Sequence, residues 1–282
     1  MPLFTEFRQL LRHYSRNLDL QAENDYREFK QVCDCVESRF KIELRNLKIL
    51  EVGCGQRYPH ALLLAQDNEV HAIDLDIVLT HWSPALIYKL FKHGGFRRAA
   101  KTIIRRALFD EKYYRKLAEL FGKKLDKKPA VYRMSGENLE FLDNTFDLVF
   151  SKAVFEHVRR IDNVIPEIKR VLKVGGVLAI EINLFTGFTG GHNLLGEDPE
   201  YSRVPPWDHL RKQTYPTNTY LNKLRIDDYK KAFEQYFEIV YYYEEEKHQY
   251  ERFLTEDIRR ELADYSVHEL LTNGMLVLAK KS

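Results

Sequence analysis

The stretch that most restricts how this chain can fold is Lys48-Ile49-Leu50-Glu51-Val52-Gly53-Cys54-Gly55-Gln56. An apolar run ends on two glycines one residue apart, and a second apolar run, PHALLLAQ at 59–66, reads as a helix. A strand that enters a glycine turn and leaves as a helix is the first half of a βαβ unit. Glycine lets the backbone approach a ligand closely, and the N-terminus of the following helix favours anionic groups. The G-x-G pair alone is a weak signal. A dinucleotide fingerprint would place a third glycine at position 58, where Tyr58 stands, so a nicotinamide cofactor is disfavoured.

The same alternation continues along the chain. EVHAID at 69–74 reads as a second strand ending on an acid, 131–134 as a short third and FDLVFS at 146–151 as a fourth. IDNVIPEIKRVLK at 161–173 has Val164, Ile168, Val171 and Leu172 on one helical face, with Pro166 expected in the first turn. Gly175-Gly176 is expected to end that helix, and GVLAIEIN follows as a fifth strand. A helix at 226–235 and strands at 237–243 and 275–280 complete the pattern. Near-continuously apolar strands separated by helices predict an α/β fold whose doubly wound, mostly parallel sheet is covered on both faces. Two connections, 77–128 and 184–224, exceed what such a fold needs, and long connections are more often functional than idle.

Composition removes several classes. A chain of 282 residues is one large domain or slightly more, and a formal net charge of +2 is no nucleic-acid footprint. Three cysteines, Cys33, Cys35 and Cys54, without a CxxC pair predict neither a disulfide framework nor a zinc site; no metal is expected, and the composition suits a reducing cytoplasm. Arg8, Arg12 and Arg16 interrupt any signal-peptide core, while Phe4, Phe7, Leu11 and Tyr14 fall at helical spacing. No apolar run approaches the roughly 18 residues that would suggest a membrane span.

Asp74 lies at the tip of the second strand, where a carboxylate can accept hydrogen bonds from both hydroxyls of a ribose. ILEVGCGQ, then AID, then SGENLEFLDNTFDLVFSKAVFEHV, then IKRVLKVGG follow one another over about residues 47–183. In that order and spacing they resemble the class I S-adenosylmethionine-dependent methyltransferases, and most of all the broad group acting on small molecules, lipids and sugars. The resemblance implies a Rossmann-like seven-stranded sheet with an antiparallel last strand. It implies N-terminal helices over 1–46 and a methyltransferase domain over 47–282, with a helical insertion at 77–128 and an acceptor-side insertion at 184–224. The implied cofactor is S-adenosyl-L-methionine. Glu51, Gly53 and Gly55 would line its methionine part, Asp74 would bind the ribose and Leu75 would lie beside the adenine. Gly136 and Glu137 would border the adenine, and Ser151 and Lys152 would face the sulfur end. Many relatives carry Asp where Ser135 stands, and Pro where Val174 precedes the glycine pair.

A sulfonium methyl is already activated, so the chain must hold a nucleophile in line with it and, for a hydroxyl, remove a proton. Amino-methyltransferases of nucleic acids carry an Asn/Asp-Pro-Pro-aromatic run after the fourth strand, where SKAV stands here, and no cysteine follows Cys54 to serve a carbon methyltransferase. Nucleic acid is therefore not an expected partner. Candidate bases are His209, beside Asp208, then His192 and His157. Against them stand a PPWDHL turn anchored by Trp207 and a structural His157. LFTGFTGGH, at 184–192, opens no helix as a phosphate loop must, and is expected to be a flexible crossing to the acceptor side. The basic segment 89–116 reads as a lid over an anionic substrate, a contact to anionic lipid headgroups, an RNA face or a solvated helix. The reading is O-methylation of a small molecule or glycan in the cytoplasm. The alternatives are a lipid or quinone-precursor methyltransferase at a membrane surface and a cofactor-binding protein without turnover.

Overall fold

The computed structural model describes residues 18–192, 204–215 and 219–282. The helix expected around Phe4–Tyr14 lies outside these residues, as do parts of the 184–224 insertion. The strands form a seven-stranded sheet in the order β3-β2-β1-β4-β5-β7-β6, with β7 antiparallel to β5 and β6. This is the α/β, mostly parallel architecture expected from the sequence. Contacts divide the chain into two compact units, Met1–Ser135 and Gly136–Ser282.

The first unit holds α1 (Leu18–Phe40), β1 (Lys48–Val52), α2 (Pro59–Leu64), β2 (Glu69–Asp74), α3 (Pro84–Leu108), α4 (Asp110–Phe121) and β3 (Ala130–Arg133). α1 buries Leu18, Ala22, Phe29, Val32 and Val36, a single face at helical spacing. β1 runs parallel to β2 with Val52 opposite Ile73, and β2 parallel to β3 with Asp74 opposite Arg133. Glu51 and Asp74 therefore reach the same C-terminal end of this part of the sheet.

The 77–128 connection folds as two helices. In α3 the backbone breaks at Gly95, which has φ 70° and ψ 169°, values that a residue without Cβ adopts at no steric cost. Phe96, Ala107 and Leu108 are exposed, whereas Ala99, Thr102 and Arg105 are buried. Arg105 donates to Asp110 Oδ2 at 3.3 Å and to the Gln56 carbonyl at 3.2 Å, so its burial satisfies the guanidinium. Part of the basic segment is also matched locally by acids. Lys112 pairs with Asp19 at 3.1 Å, Lys116 with Glu23 at 3.5 Å, and Arg98 with Asp76.

The second unit holds β4 (Phe146–Lys152), α5 (Ile161–Val171), β5 (Leu172–Asn183), α6 (Ile226–Glu234), β6 (Glu238–Glu246), α7 (Glu256–Glu261), α8 (Val267–Leu271) and β7 (Thr272–Lys280). Short 3-10 turns stand at Phe155–His157, Asp208–Leu210 and His248–Phe253. Pro166 lies inside α5 rather than in its first turn. It costs the helix one i→i−4 hydrogen bond, which the buried face of Ile161, Val164, Ile165, Ile168 and Val171 outweighs. α5 ends at Val171, before the glycine pair, which lies within β5. Gly175 has φ 77°, and a Cβ on Gly176 would stand 2.8 Å from the Lys173 carbonyl oxygen.

Trp207 anchors a satellite core with Phe188, Leu254, Ile258, Leu262, Leu270 and Leu271. Its indole Nε1 donates to the Leu270 carbonyl at 3.0 Å, so the PPWDHL segment is an ordered turn. Replacing Trp207 with alanine removes a fully buried indole and is expected to cost about 3–5 kcal/mol. Denaturant unfolding checks this; a loss below about 1 kcal/mol would mean that the turn is held by something else.

Candidate cofactor and acceptor sites

β1 ends in a turn that only glycine tolerates well. Gly53 has φ 78° and Gly55 φ 67°, and the amides of Gly53 and Cys54 both donate to the Ile73 carbonyl, at 2.9 and 3.0 Å. Asp74 closes the turn. Its Oδ2 accepts from the Gly55 amide at 2.9 Å and its Oδ1 from the Asp76 amide at 2.8 Å. Each oxygen keeps a second lone pair, so the carboxylate can still accept from a ligand hydroxyl. Burial raises the Asp74 pKa, opposed by the Gly55 hydrogen bond and by Arg98.

Glu51 is buried, with Oε1 3.4 Å from His60 Nδ1, while its Oε2 has no hydrogen-bond partner. A buried carboxylate oxygen left in that state is costly unless a ligand completes it. A Cβ built on Gly55 would meet nothing within 4 Å, so there is space above the turn. An orphaned carboxylate oxygen and an open glycine turn beside the Asp74 carboxylate fit the ammonium and ribose of S-adenosylmethionine. Leu75 is exposed next to this turn, on a small cavity also lined by Ile77, Leu90, His93 and Arg133.

The second unit places the other expected residues. Gly136 and Glu137 lie in a turn, and Glu137 Oε2 accepts from Arg160 Nη2 at 2.7 Å and Asn163 Nδ2 at 3.3 Å. These two donors hold the Glu137 carboxyl below the usual range. Ser151 is fully buried, and Lys152 pairs with Glu181, its register partner on β5.

After β4 the chain turns sharply at Ala153, which has φ 53°, into the Phe155–His157 turn. Asn222 clamps this turn, donating through Nδ2 to the carbonyls of Phe155 at 2.7 Å and Val158 at 3.1 Å. Tyr229 in turn donates to Asn222 Oδ1 at 2.9 Å. The Glu156 side chain is only 2% exposed. Its Oε1 accepts from Asn183 Nδ2, at the end of β5, at 2.9 Å, while Oε2 has no hydrogen-bond partner. Nε2 of His157 and Nε2 of His192 each stand 3.9 Å from Glu156 Oε1. The two imidazoles meet edge to face at 5.0 Å. Burial raises the Glu156 pKa. Burial, with His157 and His209 nearby, lowers that of His192 to about 4.

LFTGFTGGH brings His192 to this position by packing rather than by flexibility. A Cβ on Gly187 would lie 2.6 Å from the Thr272 carbonyl oxygen. One on Gly190 would lie 2.3 Å from that of Phe185, and one on Gly191 would lie 2.9 Å from the His209 side chain. His209 is itself turned inward, its Nε2 donating to the Phe185 carbonyl at 2.8 Å, and its pKa is lowered by burial. Asp208 Oδ2 accepts from the Tyr215 amide at 2.8 Å. His192 and His157 thus converge with Glu156, while His209 fastens the loop. Glu156, Asn183 and Asn222 were not singled out from the sequence; the only hint was the acid next to His157.

Residues 110–180 match the family model of a methyltransferase domain. No curated protein matches the chain. Similar solved structures include a putative S-adenosylmethionine-dependent methyltransferase from Listeria monocytogenes, with 13% identity, 93% of this chain and 99% of that one covered and a TM-score of 0.49. A putative sarcosine dimethylglycine methyltransferase from Galdieria sulphuraria shows 15% identity, 91% and 86% coverage and a TM-score of 0.48. The [4+2]-cyclase SpnF shows 18% identity, 89% and 80% coverage and a TM-score of 0.44. At such values the likenesses say nothing of this chain's acceptor. The methyltransferase-domain match is thus confined to residues 110–180, and the seven-stranded sheet with its antiparallel β7 is the one that the resemblance to class I S-adenosylmethionine-dependent methyltransferases implies.

Asp74→Asn removes the charge from the turn. It is expected to weaken S-adenosylmethionine binding roughly 10–100-fold, the range for a hydrogen bond to a charged group. Isothermal titration calorimetry measures this; unchanged affinity would remove Asp74 from the cofactor site, and tighter binding of a nicotinamide dinucleotide would reassign the site.

Proposed function

We propose that the protein transfers the methyl group of S-adenosylmethionine to a hydroxyl oxygen of a small molecule or glycan. The observation that carries this reading is the Glu156–His157–His192 group at the C-terminal ends of β4 and β5, where acceptors bind in open α/β sheets. Hydroxyl acceptors need a group that receives or labilises a proton, and two imidazoles beside a buried carboxylate supply one. In this reading Glu51, Gly53, Gly55 and Asp74 hold the methionine and ribose parts, with Leu75 near the adenine. Gly136 and Glu137 border the adenine and Ser151 and Lys152 lie towards the sulfur end. The bound cofactor supplies the electrophilic methyl. His192 and His157 receive the acceptor hydroxyl, Glu156 fixes their charge environment, and His209 positions His192 by fastening its loop. The three cysteines are free, in keeping with a cytoplasmic setting.

Incubation with methyl-labelled cofactor and panels of hydroxyl, amine and carboxyl acceptors tests the reading. Labelled methyl ethers are expected. His192→Ala is expected to lower kcat at least about 100-fold with little change in cofactor affinity, in line with the loss of a proton-transfer group. Transfer only to nitrogen would sink it, and full cofactor binding with no transfer would favour a binding protein without turnover.

A second reading places the acceptor at a membrane surface. Trp82, Tyr88 and Phe96 are 54%, 65% and 69% exposed beside Lys89, Lys92 and Arg97. Aromatic side chains mixed with cations suit an anionic interface. Among the described residues no helix is long and apolar enough to cross a membrane, so contact would be peripheral. Cosedimentation with anionic vesicles that is lost at high salt, and reduced by Trp82→Ser with Phe96→Ser, is the expected outcome. Equal binding to neutral vesicles would remove this reading.

A further inference from the structure

We propose that Glu156, His157 and His192 form a binding site for a divalent transition-metal ion of the zinc type, held by one carboxylate and two imidazoles. The inference deepens the O-methylation reading, because the same three side chains face the acceptor.

The geometry has four parts. The ligand atoms of the three residues all lie within 4.8 Å of one another. Each Nε2 stands 3.9 Å from Glu156 Oε1, too long for a hydrogen bond and somewhat wider than the roughly 3.0–3.4 Å between neighbouring ligands on an ion with bonds of about 2.1 Å. A contraction of about half an ångström brings each Nε2 to ligand spacing from Oε1.

The tautomer of His157 is fixed in the form a ligand requires. Its Nδ1 lies 2.9 Å from the Tyr220 carbonyl, which can only accept, so Nδ1 carries a proton and Nε2 is the nitrogen that faces Glu156. A backbone carbonyl on the far nitrogen is how ligating histidines are usually oriented. Glu156 is likewise supported from behind. Asn183 holds Oε1, and the buried Oε2 has no hydrogen-bond partner. An anionic oxygen in that state calls for a cation.

The surroundings suit an ion that keeps an open position. Glu156 is sealed, while the side chains of His192 and His157 are 21% and 32% exposed. Two nitrogens and one oxygen select zinc, cobalt, nickel or iron over magnesium or calcium, which take oxygen ligands. An acceptor hydroxyl in the open position would be acidified by the ion and its attack on the methyl group eased. The lone pair would form the new C–O bond as the C–S bond breaks, and the proton would leave to solvent. His192 reaches this place only because the glycines of its loop admit close packing against Thr272, Phe185 and His209.

The test uses the full chain, stripped with chelator and titrated with Zn2+, and with Co2+ as a spectroscopic probe. One tight equivalent per chain is expected, with nitrogen-ligated Co2+ absorption and a rise in Tm. His192→Gln and His157→Asn are each expected to weaken the tight site at least about 100-fold. Asn183→Ala should weaken it about 10-fold through loss of second-layer support. His268→Ala is the control, since His268 lies against Glu244 and Glu246 in a separate exposed group, and it should leave the tight site unchanged. His192 lies on a loop, so His192→Gln keeps the test valid if His157→Asn fails to fold. Absence of a one-to-one site, binding that survives His192→Gln, or binding abolished by His268→Ala overturns the inference. Methyl ethers formed by protein shown to bind no metal would overturn the ion and leave O-methylation standing. Tight Zn2+ binding without transfer to any hydroxyl would do the reverse.

Discussion

Two carboxylates are buried at strand ends, Glu51 on β1 and Glu156 just past β4. A charge removed from water must be paired, hydrogen-bonded or neutralised. Each of these acids has one oxygen engaged, by His60 or by Asn183, and one without a hydrogen-bond partner. Apolar residues of similar size would pack these places at lower cost. Leaving a carboxylate oxygen incomplete makes physical sense where a cationic group arrives from outside: in our reading, the ammonium of the cofactor at Glu51 and a metal ion at Glu156.

The local backbone serves these acids. In the first unit Gly53 and Gly55 adopt left-handed φ, and Asp74 ties the resulting turn to β2 through the Gly55 amide. In the second unit Ala153 takes a left-handed φ without being glycine, and Asn222 stabilises the turn that follows. Strain at a strand end is sustained where the surroundings over-determine it. Here an asparagine that spans two carbonyls, backed by Tyr229, does so.

The loop after β5 shows how glycines that look like a phosphate cradle can serve a different purpose. Their amides do not open a helix. Backbone oxygens and the His209 side chain occupy the space that Cβ atoms would need. The loop is thereby drawn tight against β7, and the histidine at its end meets the turn after β4. His209, chemically the most attractive base from sequence, instead donates to Phe185 within the same packing.

The sheet was legible in the sequence because each parallel strand is a short apolar run between helices, and because β1 ends on a glycine turn with an acid one strand away. Those are local patterns set by burial and by allowed φ, and they place Glu51, Gly55 and Asp74 without further information. Neighbouring residues in sequence could not show which way His209 turns, nor that α3 buries Thr102 and Arg105 and leaves Phe96 and Leu108 exposed. Glu156, Asn183, His192 and Asn222 are far apart along the chain, and only folding brings β4, β5 and two loops to one place. The sequence by itself determined the strand order's raw material and the glycine turn with its neighbouring acid. The tertiary structure decided which histidines meet the buried carboxylate, because convergence of side chains depends on packing distances that no local pattern encodes.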